Sequence, residues 1–598
     1  MELRVLWRAT TTSPRAGDEN LGERSSEMGT TTARARALPL SVLGVVVLGA
    51  WAAGAQAAAT EEQMDRLVAQ TVKPDGPGCA VLVIDDGRIV FERAYGMADV
   101  DTGRPITTAT AFNIESVTKQ FTACCIARLV QKGQLGLEDD IRKYVPEMPP
   151  YEWPITIRHL IHHTSGIRDF TRLTVLKGIH LEADCSEREL LQLIARQKQL
   201  TFRPGETIRY CNSGYFLLGL IVRRVTGLSV GAYAEREIFG PLGMTRTAYR
   251  YDPIRTGGNL AAPHVPDGTG KYRRRALAQD TDDFGYGGIY TTVEDLYRWD
   301  QNFFTNRIGG EELNTLMLTR GTTNNGATLN YAFGLDVRAH KGLTTVSHGG
   351  GSLGYNAFLL RFPERKFSVI CLANYPTNTG WLCYRIADLY LDLPQEKTSP
   401  VRETPRVASV DPAVYARYEG VYRMANGITF LISTSDNRLF LQQVGAGPLE
   451  LHPKSTTEYF LKEVPLEFSF PADESGTVSE LAFDQNGRHY SARRLDRKPL
   501  PGDQLSGYEG QYYSEELDVT FGVHVKGDRL CLQAPRLPDI YQVNFRDPQG
   551  ENGLKHIVGD EFMRSYGTIA FARDDGGTIT GFSVNVGDDL RDLQFRRR

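Results

Sequence analysis

Between Asp392 and Pro412 the chain carries Pro394, Pro400, Pro405 and Pro412 among polar residues, a stretch through which no packed core can run. It reads as an extended linker over 393–412, and it divides the 598 residues into parts that must each bury a core of their own. Beyond it the character of the sequence changes to short strand-like runs and turns, and a motif returns. Tyr418-Glu419-Gly420-Val421-Tyr422 recurs as Tyr508-Glu509-Gly510-Gln511-Tyr512. Asp436-Asn437-Arg438-Leu439 is echoed by Gly527-Asp528-Arg529-Leu530, and Gly476-Thr477-Val478 by Gly577-Thr578-Ile579. Three matches in one order predict two related antiparallel β-barrel-like units, over 413–500 and 501–598. The third match is spaced more widely than the first, which places an insertion in the second copy, roughly Phe545 to His556.

The other end of the chain reads as an address. Arg34 and Arg36 precede an apolar run from Ala37 to Ala53 that contains Pro39 and Gly44 and is short for a membrane span. Ala55-Gln56-Ala57 then supplies the small residues of a signal peptidase site, so 1–57 is expected to be a signal region cleaved after Ala57. Asp18, Glu19, Glu23 and Glu27 do not suit the start of such a signal, which suggests Met28 as the true first residue. The alternative is an uncleaved anchor. Export to the periplasm or the medium follows, with no stable membrane span after cleavage.

Composition excludes several classes of function. With 41% hydrophobic and 23% charged residues the chain is ordinary globular protein, and a net charge of -4 offers no basic field for nucleic acid. The eight cysteines are scattered, with Cys124 and Cys125 adjacent in an apolar helical pattern, and read as buried thiols rather than a disulfide framework. No spacing resembles a zinc site, and His162 and His163, being neighbours, read as packing or hydrogen-bonding residues at a helix end. No metal or cofactor is expected.

Between signal and linker, 58–392 reads as one catalytic domain. Val81 to Ile84 and Ile89 to Arg93 flank Asp86-Gly87, a hairpin signal. Apolar residues recur at helical spacing from Ser116 to Val130, helical patterns continue to about Glu237, and strand-like runs follow at Thr344 to His348, Asn356 to Phe362 and Phe367 to Ala373. Strands at both ends predict a sheet completed by the two termini of the region and covered by helices.

Ser116-Val117-Thr118-Lys119 opens the first helical pattern. A serine hydroxyl is a poor nucleophile until a base takes its proton, and residues three apart share a helix face, so Lys119 should stand beside Ser116. A helix start also favours developing negative charge. Alone the motif is weak. Tyr210-Cys211-Asn212 follows Phe202-Arg203-Pro204-Gly205-Glu206, however, and His348-Gly349-Gly350-Gly351 ends a strand-like run.

The order Ser-x-x-Lys, Tyr-x-Asn, His-x-Gly resembles the serine hydrolase family of class C β-lactamases, D-alanyl-D-alanine carboxypeptidases and D-aminopeptidases. Ile155-Thr156-Ile157-Arg158-His159-Leu160, His163-Thr164-Ser165-Gly166 and Pro241-Leu242-Gly243-Met244 also match, and the resemblance spans roughly Glu62 to Leu391. It implies an α/β (α+β) β-lactamase/transpeptidase-like domain, an antiparallel sheet flanked by helices with a helical subdomain. It further implies that Ser116 forms an acyl-enzyme, that Lys119 or Tyr210 is the general base, and that Asn212 positions Lys119 and a substrate amide. The backbone N–H groups of Ser116 and Gly351 would form the oxyanion hole.

The third motif departs from the lactamase Lys-Thr-Gly. Gly349 has no hydroxyl and His348 is mostly neutral near pH 7, so strong penicillin recognition is not expected, whereas a histidine there resembles D-aminopeptidases and some esterases. D-aminopeptidases of this kind also carry two β-barrel domains after the catalytic domain. The expected substrate is therefore a small peptide or amide with a D-residue at a free N-terminus. Alternatives are a carboxylesterase or weak β-lactamase on the same site, or a silent receptor for peptidoglycan fragments or lactams. Tyr286, in Phe284-Gly285-Tyr286-Gly287-Gly288, either lines the cleft or packs in a turn, and Gly349 and Gly350 border the substrate. The insertion reads as a polar surface loop; the alternative, implied by the resemblance to D-aminopeptidases, is that it reaches the Ser116 cleft, where Asp547 or Glu551 would meet the substrate's ammonium group. Oligomeric state is not set by the sequence.

Overall fold

The Asp86-Gly87 hairpin forms as its sequence demands. Asp86 (φ 42°) and Gly87 (φ 76°) both take left-handed conformations, as a two-residue turn matching strand twist requires. They join β1 (Cys79–Asp85) to β2 (Arg88–Tyr95). The computed structural model describes residues 61–598 apart from 180–184, 251, 276–283, 353, 394–404, 426, 445, 463–465, 486–487, 497–499, 534–552, 565–566 and 588–589. The expected signal region 1–57, part of the linker, and Asp547 and Glu551 lie outside the described residues. Among those described, no single helix is long and apolar enough to cross a membrane.

Four late strands complete the sheet: β3 (Asp336–His340), β4 (Leu343–Ser352), β5 (Tyr355–Phe362) and β6 (Phe367–Ala373). The order is β3-β4-β5-β6-β1-β2, antiparallel throughout, so the two ends of the region meet at the β6–β1 pair, with Cys79 opposite Ala373 and Asp85 opposite Phe367. Side chains alternate across such strands. Phe358 and Cys371 face the helix Thr379–Tyr390, whose Cys383 Sγ approaches the Phe358 carbonyl, whereas Arg361 and Ser368 face the opposite helix Val293–Thr305 through Asp300. The larger core lies on the second face, where Ala80, Leu82, Ile370 and Leu372 pack with Phe121, Leu217, Ile221 and Trp299. All eight cysteines are free thiols, seven of them buried.

The two β units repeat each other atom for atom in their fixings. Eight strands between Gly420 and Arg494 close into a barrel through Tyr422 opposite Arg494. Eight strands between Gly510 and Arg597 run in the same up-and-down order, and Leu554 N–H donates to the Leu530 carbonyl (2.7 Å) where the third and fourth strands meet. In the first, Tyr422 Oη donates to the Tyr418 carbonyl (2.8 Å); in the second, Tyr512 Oη donates to Tyr508 (2.7 Å). Glu419 accepts from Thr434 N–H and Glu509 from Val525 N–H. An added Cβ on Gly420 or Gly510 would crowd Arg494 or Arg597, and these arginines bond equivalent carbonyls: Arg417, Glu419 and Val478 in one barrel, Gly507, Glu509 and Ile579 in the other. The Tyr-Glu-Gly-x-Tyr repeat is thus a seam that the last strand's arginine staples shut.

The barrels also pack on their neighbours. Val421 and Leu431 of the first meet Ile557 and Met563 of the second, beside an Arg423–Glu561 ion pair of 2.9 Å. The core of the second barrel extends into the catalytic region, taking in Leu173 and Leu176 of α2 (Phe170–Lys177) and Leu193 of α3 (Glu187–Ala195). Tyr512→Phe removes the hydroxyl that satisfies the buried Tyr508 carbonyl and should lower stability by about 1 to 2 kcal/mol. The check is the midpoint of chemical denaturation, which stays at the wild-type value if that seam carries no energy.

Candidate active site

Ser116 does not sit in the α-helix itself. A 3-10 turn, Glu115–Thr118, precedes α1 (Lys119–Gln131), because the chain must swing from a short strand, Phe112–Asn113, into the helix over the five residues 114–118. Asn113 Oδ1 accepts from Glu115 N–H (2.8 Å), and Ile114 N–H and the Thr118 hydroxyl bond the backbone of Ile289. Glu115 takes up the bend at φ 51°, a left-handed conformation that non-glycine residues adopt only when their surroundings enforce it. Its carboxylate accepts from Ser352 Oγ at 2.7 Å, and burial raises its pKa.

Lys119 is completely buried and donates to three acceptors: Ser116 Oγ at 3.1 Å, Asn212 Oδ1 at 2.9 Å and the Tyr286 carbonyl at 2.8 Å. Its ammonium lies over the rings of Tyr210 (4.8 Å), Tyr215 (5.6 Å) and Tyr286 (6.0 Å). Desolvation drives its pKa from the usual lysine range down to about 7, while Asp169, Glu115 and Cys211 pull the other way. A neutral amine has two N–H bonds and one lone pair. Two of the three partners are carbonyl oxygens that can only accept, so the N–H bonds go to them and the lone pair is left for the Ser116 proton.

Asn212 starts the helix Asn212–Thr226, and its amide orientation is dictated by Asp169. Asp169 Oδ2 accepts from both Asn212 N–H (2.6 Å) and Asn212 Nδ2 (3.1 Å), so Oδ1 must turn to Lys119. Sequence reasoning passed over Asp169, although it stands just past His163-Thr164-Ser165-Gly166 and caps α2 through Thr171 N–H. Tyr286 contributes its backbone carbonyl; its ring stacks on Phe284 and meets Phe170 edge-on. Its place is both at the site and in a packed turn.

Tyr210 leads into the same helix. Its ring packs against His163 (4.4 Å), His348 (6.3 Å) and Tyr331 (6.5 Å), and Cys211 N–H donates to His163 Nδ1 at 3.1 Å. His163 is therefore a packing and hydrogen-bonding residue. His162 packs edge-on to Phe333, and burial pushes its pKa down to about 4. His348 is buried, with Tyr331 Oη at 2.9 Å from Nε2 and the Gly349 carbonyl at 2.7 Å from Nδ1. A neutral ring protonated on Nδ1 fits both bonds. Both ring nitrogens are thus engaged inside the protein.

The glycines after His348 do different things. A Cβ on Gly350 would lie 2.1 Å from the Ile114 carbonyl and 3.0 Å from Ser116 N, so β4 can press on the turn that carries Ser116 only as glycine. Gly349 points the other way, toward the Phe358 ring at 3.1 Å, so it borders the site by its backbone alone. Gly351, opposite Asn356, is exposed at the strand end beside this contact. Among the described residues, no cluster of histidine, cysteine or carboxylate side chains could hold a metal ion. Gly350→Ala should cut kcat about 100-fold, as a displacement of about 1 Å at a nucleophile does, with the protein still folded by circular dichroism. Wild-type kcat would show that β4 can yield.

The chain is similar in sequence and fold to known proteins. Residues 64–384 match the family model described as Beta-lactamase. A penicillin-binding protein of Bacillus subtilis (strain 168) is 28% identical over 435 residues, which is 69% of this chain and 94% of that protein. A D-aminopeptidase of Gluconobacter oxydans (strain 621H) is 26% identical over 545 residues, 87% of this chain and 96% of that protein. Among solved structures, the octameric penicillin-binding protein homologue from Pyrococcus abyssi shares the fold with a TM-score of 0.53 at 22% identity, covering 80% of this chain and 98% of its own. With a buried lysine held against a serine on this fold, the chain belongs to the Beta-lactamase family of serine hydrolases.

Proposed function

We propose that the protein is an exported hydrolase of amides or short peptides that begin with a D-residue, working through an acyl-enzyme on Ser116. The observation that carries the chemistry is the setting of Lys119, whose two carbonyl acceptors leave its lone pair for the Ser116 hydroxyl. As Ser116 Oγ bonds to the scissile carbonyl carbon, its proton passes to Lys119 Nζ and the carbonyl oxygen becomes an oxyanion facing the N–H groups of Ser116 and Gly351. The C–N bond then breaks, the amine leaves with a proton delivered through Tyr210, and water hydrolyses the resulting ester. The substrate class rests on the D-aminopeptidase relative, whose alignment takes in most of the chain rather than the catalytic region alone. A carboxylesterase on the same site is the second reading, favoured by the engagement of His348 inside the protein, which leaves that position without a cation for a substrate carboxylate.

A panel of D-alanine and L-alanine p-nitroanilides, p-nitrophenyl esters and nitrocefin separates these functions. The D-anilide should be the best amide, and Ser116→Ala should retain less than about a thousandth of the rate. Preference for the L-anilide, or for esters alone, overturns the peptidase reading. Because Lys119 must be neutral to take the proton, kcat/KM should rise with pH through about 7. A profile flat from pH 5 to 9 would remove Lys119 as base.

Tyr210→Phe keeps the ring over Lys119 and loses only the hydroxyl. It should slow anilide turnover at least about tenfold more than p-nitrophenyl ester turnover, since p-nitrophenolate departs without a proton. Equal losses on both substrates would mean that the hydroxyl does not serve the leaving group.

A further inference from the structure

Arg168 is among the largest side chains wholly buried in the protein, and its ionic partner belongs to the second barrel. Nη1 donates to Glu516 Oε1 at 2.8 Å and to Gln197 Oε1 at 3.0 Å; Nη2 donates to the carbonyls of Arg591 (2.7 Å) and Asp592 (3.3 Å). Glu516 Oε1 also accepts from Lys198 N–H at 2.7 Å, and the Glu516 carbonyl accepts from Gln197 Nε2 at 3.2 Å. Exposed pairs, Arg196–Asp518 and Lys198–Glu515, border the same contact. A guanidinium this deep is tolerable only while its charge is matched, and removing the Glu516 carboxylate takes away that match.

The next residue is Asp169. While its side chain fixes Asn212, the Arg168 carbonyl accepts from Ser213 Oγ (2.8 Å), and that oxygen accepts in turn from Phe170 N–H (2.8 Å). Residues 168–170 and 212–213 are therefore stitched together, with the barrel gripping one end and Lys119 bonded to the other. We propose that Glu516 is a positioning residue for the reaction: by clamping Arg168 it holds Asp169 on Asn212, and Asn212 Oδ1 on the Lys119 amine. The proposal rests on Lys119 activating Ser116 as set out above. It makes the second barrel part of the catalytic apparatus through a buried ion pair.

Lys119 is faced by Asp169, Glu115 and Cys211 and by the rings of Tyr210, Tyr215 and Tyr286. When Glu516 loses its charge, the nearest carboxylate along the chain from Arg168 is Asp169. Drawing Asp169 off Asn212 loosens Lys119 and withdraws negative charge from it, so its protonated form is less favoured and its pKa falls.

The test uses the full chain and p-nitrophenyl acetate, an activated ester that acylates a reactive serine whatever the natural acyl group. Glu516→Gln keeps the volume and one acceptor. It should lower kcat about five- to tenfold with KM unchanged and shift the acid limb of the kcat/KM profile to lower pH; Glu516→Ala should do both more strongly. Arg196→Ala, which cuts only an exposed pair of the interface, should match wild type. A Glu516→Gln protein with wild-type kcat and an unmoved acid limb overturns the proposal. So does an effect on KM alone, or activity lost together with the near-ultraviolet circular dichroism, which would make Glu516 merely structural. If Ser116→Ala and Lys119→Ala turn over this ester like wild type, the assignment of the site fails instead, so the two failures are distinct.

Discussion

An amine buried beside a hydroxyl is the constraint around which the rest is arranged. Burial of Lys119 removes its hydration, and the protein replaces the lost water with acceptors from three separate segments: the turn of Ser116, the start of the Asn212 helix and the carbonyl of Tyr286. Each acceptor holds its position by further contacts. Asp169 orients Asn212, Phe284 and Phe170 hold Tyr286, and β4 with its glycine at 350 presses on the serine turn. The same desolvation that makes the site costly brings Lys119 to a pKa at which both protonation states are accessible near neutrality. Stability and protonation draw here on one interaction with opposite sign: the burial that disfavours the ammonium is what makes the neutral amine accessible.

The barrels solve a different problem. A lone all-β unit of about 90 residues has a small core, and two such units gain by sharing apolar surface with larger neighbours. The first barrel leans on the second through Val421, Leu431, Ile557 and Met563, and the second shares its core with α2 and α3. Within each barrel the Tyr-Glu-Gly-x-Tyr seam fixes closure by hydrogen bonds rather than by bulk, which explains why so short a motif survives in both copies while the strands between them differ.

Features set by neighbours along the chain were legible in the sequence. The Asp86-Gly87 hairpin, the strand Phe367–Ala373 and the juxtaposition of Ser116 with Lys119 follow from turn chemistry, a short apolar run and helical spacing within a few residues, and the two barrels follow from a motif that returns in the same order. One local reading was off by a turn. The apolar period begins at Ser116, but the α-helix begins at Lys119, since a sharp bend at Glu115 first makes a 3-10 turn and periodicity alone does not separate the two.

The sequence by itself singled out Ser116 and Lys119, the Tyr-x-Asn and His-x-Gly segments, and a change of character after residue 412 to two repeated β units. Only the tertiary structure decided how these act on one another. Asp169 reaches Asn212 across 43 positions and Arg168 reaches Glu516 across 348, pairings that neither a local period nor a motif marks in the sequence. It also decided that His348 turns inward to Tyr331 while Gly349 faces Phe358. A residue type states which bonds a side chain can make; burial and the partners that the fold brings within 3 Å state which it does make, and those are fixed only when distant segments pack.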